Sequence, residues 1–209
     1  MPVAAVASPS RPRPADPLLL GVCAGALVPL VVMGWRLSAG AFSDPISQLM
    51  NQTGLVGLVL LVASLACTPL KLVCNWTWAM RLRKALGLLA FGYICLHFLI
   101  YFGADQFFNL PVILEDIFKR PFITFGFGAF VLLIPLAFTS TNGAIRKMGA
   151  KKWQALHKLA YVAAVLGVIH FVWRVKSDFR EPATYGAILA ALLLIRVLFW
   201  AQKRLRAKR

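Results

Sequence analysis

Apolar residues in this chain run in long blocks, with neither the alternation of strands nor the single apolar stripe of a surface helix. Six blocks can be marked, from about Leu18 to Ser38, Gly54 to Val73, Ala85 to Phe102, Phe122 to Thr141, His157 to Trp173 and Thr184 to Trp200. Each is near the roughly 20 residues an α-helix needs to cross a hydrocarbon core. No heptad or longer repeat is evident, so the pattern predicts an all-α, polytopic membrane bundle of about six transmembrane helices.

Turn chemistry marks the expected loops at Asp44-Pro45, Asn51 to Gly54, Gly103 to Pro121, Thr139 to Gly143 and Ser177 to Pro182. Within the third, Pro111 and Pro121 bracket Val112 to Phe118, which reads either as a short helix at the membrane interface or as a loop folded onto the bundle. Pro29, Pro69 and Pro135 fall within or near spans, where a missing backbone donor predicts kinks. The expected organisation is a disordered cytoplasmic N-terminus over residues 1–16, a transmembrane domain over 17–202 and a basic cytoplasmic tail over 203–209. The first span is expected to be a retained anchor, because it is too long for an ordinary signal-peptide core.

Composition agrees with burial in lipid. Of 209 residues 60% are hydrophobic and only 14% charged, with a mean hydropathy of +0.75; a soluble domain carries about 25% charged residues. The net charge of +16 could suggest nucleic acid, but its placement on the six-span topology excludes that. One side gathers Arg81, Arg83, Lys84, Arg146, Lys147, Lys151, Lys152 and the run from Lys203 to Arg209, with Asp16 as its only acid. On the other, Arg36, Lys119, Arg120, Arg174, Lys176 and Arg180 are matched by Asp44, Asp105, Glu115, Asp116, Asp178 and Glu181. The positive-inside rule makes the first side cytoplasmic, with both termini inside, and assigns the basic excess to lipid headgroups.

Cys23, Cys67, Cys74 and Cys95 form no C-x-x-C or C-x-x-C-H, which leaves covalent haem, zinc and iron–sulfur binding unsupported. Histidine carries the chemistry. There are only three, His97, His157 and His170, and all lie in or at the end of a predicted span. An ionisable ring in lipid must face the bundle interior and find a partner. His97 lies thirteen residues past Lys84 on span three, and His170 thirteen past His157 on span five. Both spans run outward, so the two rings reach similar depth, roughly 20 Å along the axis from the inner face. That is the placement two imidazoles need to sandwich one haem iron. His157 sits alone at the inner face. On a straight helix it points roughly 140° away from His170, so a shared core requires a bend, for which Gly167 is the candidate.

Arg83 stands where an inner counterpart of His97 would be. Arginine donates no lone pair to iron; it is either a positive-inside anchor or a partner for a haem propionate or flavin phosphate. Arg196, deep in span six, reads as a snorkelling side chain or as a propionate or quinone contact. Gly126 and Gly128 read as helix-packing positions, and all six tryptophans lie near span ends, as an interfacial belt requires.

The chain resembles the MsrQ family, the haem-binding membrane subunits of a periplasmic protein-methionine-sulfoxide reductase system within the ferric-reductase-like transmembrane group. The resemblance runs from about Asp44 to Trp173. It is carried by Asp44-Pro45, Thr53-Gly54, Thr68-Pro69, Arg81 to Arg83 with Gly87, Tyr93 and His97, Arg120-Pro121, the segment 136–141, Trp153 to His157, Tyr161, His170 and Trp173. It implies a multi-pass protein of the bacterial inner membrane without substrate chemistry of its own. Such a subunit passes electrons from the quinone pool or a cytoplasmic flavin reductase to a periplasmic molybdopterin-containing methionine sulfoxide reductase. It also implies haem b, with a second haem left open, and FMN. By this resemblance His97 and His170 are the outer iron ligands, His157 is the inner ligand, and Arg83 replaces a fourth histidine. A self-contained ferric or quinone reductase is the enzymatic alternative, and a transporter the third reading.

Overall fold

The computed structural model describes residues 16–207. Arg11, Arg13, Lys208, Arg209 and the expected N-terminal disorder, Asp16 apart, lie outside them. The helices are α1 (Pro17–Ser38), α2 (Pro45–Cys74), α3 (Ala79–Leu99, continued by a π-helical turn, Ile100–Asp105), α4 (Leu110–Lys119), α5 (Pro121–Phe138), α6 (Asn142–Met148), α7 (Ala150–Leu156), α8 (Leu159–Arg174) and α9 (Arg180–Arg206). Six stretches are long and apolar enough to span a membrane, the fifth combining α7 and α8. The fold is all-α and multi-pass, as the hydropathy pattern predicts.

Helix starts follow local chemistry. Asp16 accepts from the Leu18 amide and Asp44 from the Ser47 amide, each followed by proline at the first helical position. The cap at Asp44 corrects one boundary: Asn51 to Gly54 is not a turn but lies inside α2. Thr53 satisfies its hydroxyl on the Leu49 carbonyl at 2.7 Å, and the Asn51 side chain accepts from Arg174. Neither polar side chain then competes with the helix backbone. Likewise the segment after α5 is not a bare turn: α6 and α7 occupy it, jointed at Gly149 with φ 80°, a backbone state that favours glycine.

The core is built by four helices, with Leu61 and Leu65 of α2, Ala90 of α3, Leu133 and Leu136 of α5, and Ala163 and Ala164 of α8. The pairs α2 with α3 and α5 with α8 pack most closely. Ala90, Ala163 and Ala164 are fully buried, and such small side chains let backbones approach where lipid supplies no hydrophobic drive. Leu189 brings α9 onto this core. The first helix, α1, rests on α3 at the edge and buries only Ala26 and Met33.

The segment between α3 and α5 resolves as helix α4. Leu110, Leu114 and Phe118 form an outward apolar stripe, Phe118 being 83% exposed, while Ile113 and Asp116 turn inward. A helix so divided suits a position flat on the bilayer surface. On its wet side the Lys119 ammonium bonds Glu115 at 2.6 Å and holds that carboxyl below its ordinary range.

One proline frees a carbonyl that another helix satisfies. Pro69 has no N–H for the Leu65 carbonyl one turn back, and Arg196 of α9 donates to that oxygen and to the Tyr161 hydroxyl. Arg196 therefore does not snorkel to the headgroups; it turns into the bundle, its guanidinium 4.9 Å from the Tyr161 ring centroid. Near Pro29, the Tyr93 hydroxyl bonds the Ala26 carbonyl. We expect Arg196→Met to lower thermal stability in detergent by about 1–3 kcal/mol, the cost of leaving a buried acceptor unmet. Pro69→Ala, which returns an N–H to Leu65, should then gain more in the Arg196→Met background than in the native one; strictly additive effects would contradict this bond.

Candidate functional site

A cavity of about 370 Å³ lies among α2, α3, α5 and α8 at the end of the bundle that carries α4. His97 from α3 and His170 from α8 stand on its wall with ring centroids 6.1 Å apart and planes at 79°. The structure thus brings together the two histidines that equal depth had paired.

Each ring is seated by the same device. His97 Nδ1 lies 2.8 Å from the Met50 carbonyl, and His170 Nδ1 2.7 Å from the Phe122 carbonyl. A carbonyl only accepts, so each Nδ1 carries the hydrogen and each Nε2 keeps its lone pair. In both cases the residue four positions past the carbonyl is glycine. A Cβ on Gly54 would come within 3.0 Å of His97 Nδ1, and one on Gly126 within 2.7 Å of His170 Nδ1. Bare backbone at these two positions makes room for the rings. Sequence reading missed this role: Gly126 was read as packing, Gly54 as a turn, and nothing in a sequence names the carbonyl a distant ring will meet.

The rest of the wall is apolar, with Leu58, Leu61, Phe98, Ala129, Phe130 and Leu133 prominent. Polar groups gather at the α4 end. There Asp116, 6% exposed, accepts from Arg120 Nε at 2.9 Å and from the Tyr101 hydroxyl at 3.2 Å. Arg174 stands opposite, bonded to Asn51. Among the described residues no group of three or more His, Cys, Asp or Glu side chains converges on a bare metal ion. Two histidines alone suit a metal whose remaining positions are filled by a non-protein ligand.

The structure places His157 and Arg83 apart from this pair. They line a second cavity, about 270 Å³, that shares Leu61 and Leu133 with the first. The fifth span breaks at His157 itself, between α7 and α8, and not at Gly167, which packs against Leu58 within a continuous α8. Thr139 donates its hydroxyl to the Pro135 carbonyl at 2.6 Å and lies 3.1 Å from His157 Nε2. The Thr139 hydroxyl thus faces His157 Nε2, whereas backbone carbonyls face Nδ1 of the other two histidines. Trp153 stacks on His157 at 4.0 Å and donates to the Thr139 carbonyl at 2.9 Å. It is thus part of this wall, unlike Trp35, Trp76, Trp78, Trp173 and Trp200, which are exposed.

A six-span helical bundle with one buried histidine pair, and a third histidine in an adjoining cavity, defines a class. Residues 53–168 match the family model described as ferric reductase like transmembrane component. Within that class three relatives carry the name protein-methionine-sulfoxide reductase heme-binding subunit MsrQ. The one from Herminiimonas arsenicoxydans is 52% identical over 78% of this chain and 75% of its own length. The relative from Deinococcus radiodurans is 48% identical over 90% and 93%, and that from Rhodospirillum rubrum 46% over 88% and 89%. The chain belongs to the MsrQ family of ferric reductase-like transmembrane proteins.

Gly126→Ala should cost about 1–3 kcal/mol of stability by forcing the His170 ring aside. Gly128→Ala should be neutral, because its Cβ meets only Leu166 at 3.7 Å. Thermal unfolding of the two variants in detergent checks this, and equal losses would remove the special role assigned to Gly126.

Proposed function

We propose that this chain is the haem-binding membrane subunit of a methionine sulfoxide reductase system, with His97 and His170 as the axial ligands of a b-type haem. The observation that carries the reading is the separation of the two rings. A metal–imidazole bond is about 2.0 Å, so two rings on opposite faces of one metal have centroids about 6 Å apart; here they are 6.1 Å apart. The tautomer argument supports it, since both lone pairs are on Nε2 while both Nδ1–H groups are anchored to backbone, as metal-bound histidines usually are. The apolar wall suits a flat, largely hydrophobic ring system.

A haem bound there supplies reversible one-electron chemistry at its iron. The chain's own residues do the rest. The Met50 and Phe122 carbonyls orient the imidazoles, Gly54 and Gly126 let the rings lie close to backbone, and Leu58, Phe130 and Leu133 keep water from the site.

The basic excess supports an orientation in which the α6–α7 end is cytoplasmic and the His97–His170 pair lies toward the periplasm, in the inner membrane. The cavity of His157 and Arg83 is then the inner station. Its His157 imidazole suits a metal, and the Arg83 guanidinium suits a propionate or the phosphate of FMN. In this reading the chain receives electrons from the quinone pool or a cytoplasmic flavin reductase. It delivers them to a periplasmic molybdopterin-containing methionine sulfoxide reductase, which does the substrate chemistry. The names of the relatives support the haem and the reductase system; the donor, the acceptor and FMN rest on the wider resemblance.

Pyridine haemochrome quantification on purified protein, with flavin release measured on the same sample, tests the core of this. We expect His97→Ala and His170→Ala each to lose most of a low-spin haem b spectrum, whereas a spectrum indifferent to both substitutions excludes them as the ligand pair.

A further inference from the structure

Two arginines stand on the wall of the His97–His170 cavity, and their situations differ. Arg120 is neutralised by the buried carboxylate of Asp116. Arg174 has no carboxylate within ion-pair distance among the described residues. It is half-buried, its guanidinium bonded to the neutral side-chain oxygen of Asn51 and set 5.7 Å from the Phe171 ring centroid. A half-buried cation held only by a neutral amide retains most of its capacity for an anion. Arg174 is also four residues past His170 on α8, so it stacks one turn above that ring on the same helix face.

The charge pattern across the mouth selects a side. Asp116 and Arg120 cancel each other on the α4 side, while Asp105, on the turn that continues α3, leaves that side net negative and points its carboxylate at Gln106 Nε2, 2.7 Å away. An anionic arm entering the cavity is repelled from the α3–α4 side and attracted to the α8 side. The opposite end of the cavity, around Leu61 and Leu133, offers no cation.

We propose that Arg174 is the carboxylate clamp of this site, pairing with a propionate of the haem held by His97 and His170 and so fixing the haem with its carboxylate edge toward the α4 end of the bundle. The inference rests on the haem reading above and adds a residue and an orientation to it. Asn51 is the positioning residue that holds the guanidinium over the mouth. A guanidinium matches a carboxylate in a two-pronged geometry that lysine cannot reproduce, so Arg174→Lys should restore the charge but not the full grip.

The test is haem release from the purified protein to excess apomyoglobin, with the midpoint potential read on the same samples. Arg174→Gln should keep the bis-histidine spectrum, release haem about tenfold faster, as expected for a lost charge-assisted bond, and shift the potential to more negative values. Arg174→Lys should fall between. Protein reconstituted with the dimethyl ester of haem b, which lacks both carboxylates, should release it equally fast with and without Arg174→Gln. If the substitution speeds release of the ester as much as of native haem, Arg174 acts only through the fold and the clamp is overturned. Release and potential unchanged in Arg174→Gln would overturn it as well. Loss of the haem reading itself would look different: native protein with no haem, or with a spectrum that survives His97→Ala and His170→Ala.

Discussion

A histidine inside a membrane bundle must give its ring N–H to something, and at His97 and His170 the acceptors are backbone carbonyls. The Nδ1–H bonds to Met50 and Phe122 meet that demand, and much of the site follows from them. They fix the tautomer, which leaves Nε2 as the free donor atom. They draw each ring against a neighbouring helix, which requires glycine one turn beyond each carbonyl. They also tie α3 to α2 and α8 to α5, the same pairs that pack most closely in the core. One device used twice gives a cavity with a histidine on either side and no titratable group between them.

The other polar bonds of the interior obey the same constraint. Arg196 meets the carbonyl that Pro69 leaves free, and Tyr93 meets one beside Pro29. Both bonds cross between helices, and at Pro69 a residue that weakens a single helix becomes a point where the bundle is fastened. At His157 the ring's partner is a side chain, the Thr139 hydroxyl 3.1 Å from Nε2. The two cavities lie side by side and share Leu61 and Leu133 in their walls.

Much of this was legible in the sequence. The six apolar blocks set the span count, and equal offsets from Lys84 and His157 put His97 and His170 at one depth. Boundaries were less legible where polar residues occur inside helices, as at Asn51 and Thr53, because their partners are a distant arginine and the helix's own carbonyls. The inward turn of Arg196 could not be read, since it depends on a proline 127 positions away in sequence coming to lie beside it. Trp153 looked like a belt residue for a similar reason: position along a span says nothing about azimuth once the span breaks, and the break fell at His157 and not at Gly167. The glycine seats were hidden because a sequence shows that a glycine is present but not which ring fills the space it leaves.

Electron paramagnetic resonance of the oxidised, purified protein, frozen in detergent, tests the central claim most directly. Two imidazole nitrogens on one iron predict a low-spin ferric signal that accounts for a haem in each chain. A high-spin signal, or protein that folds with no haem at all, would contradict the pairing of His97 and His170 across a shared metal.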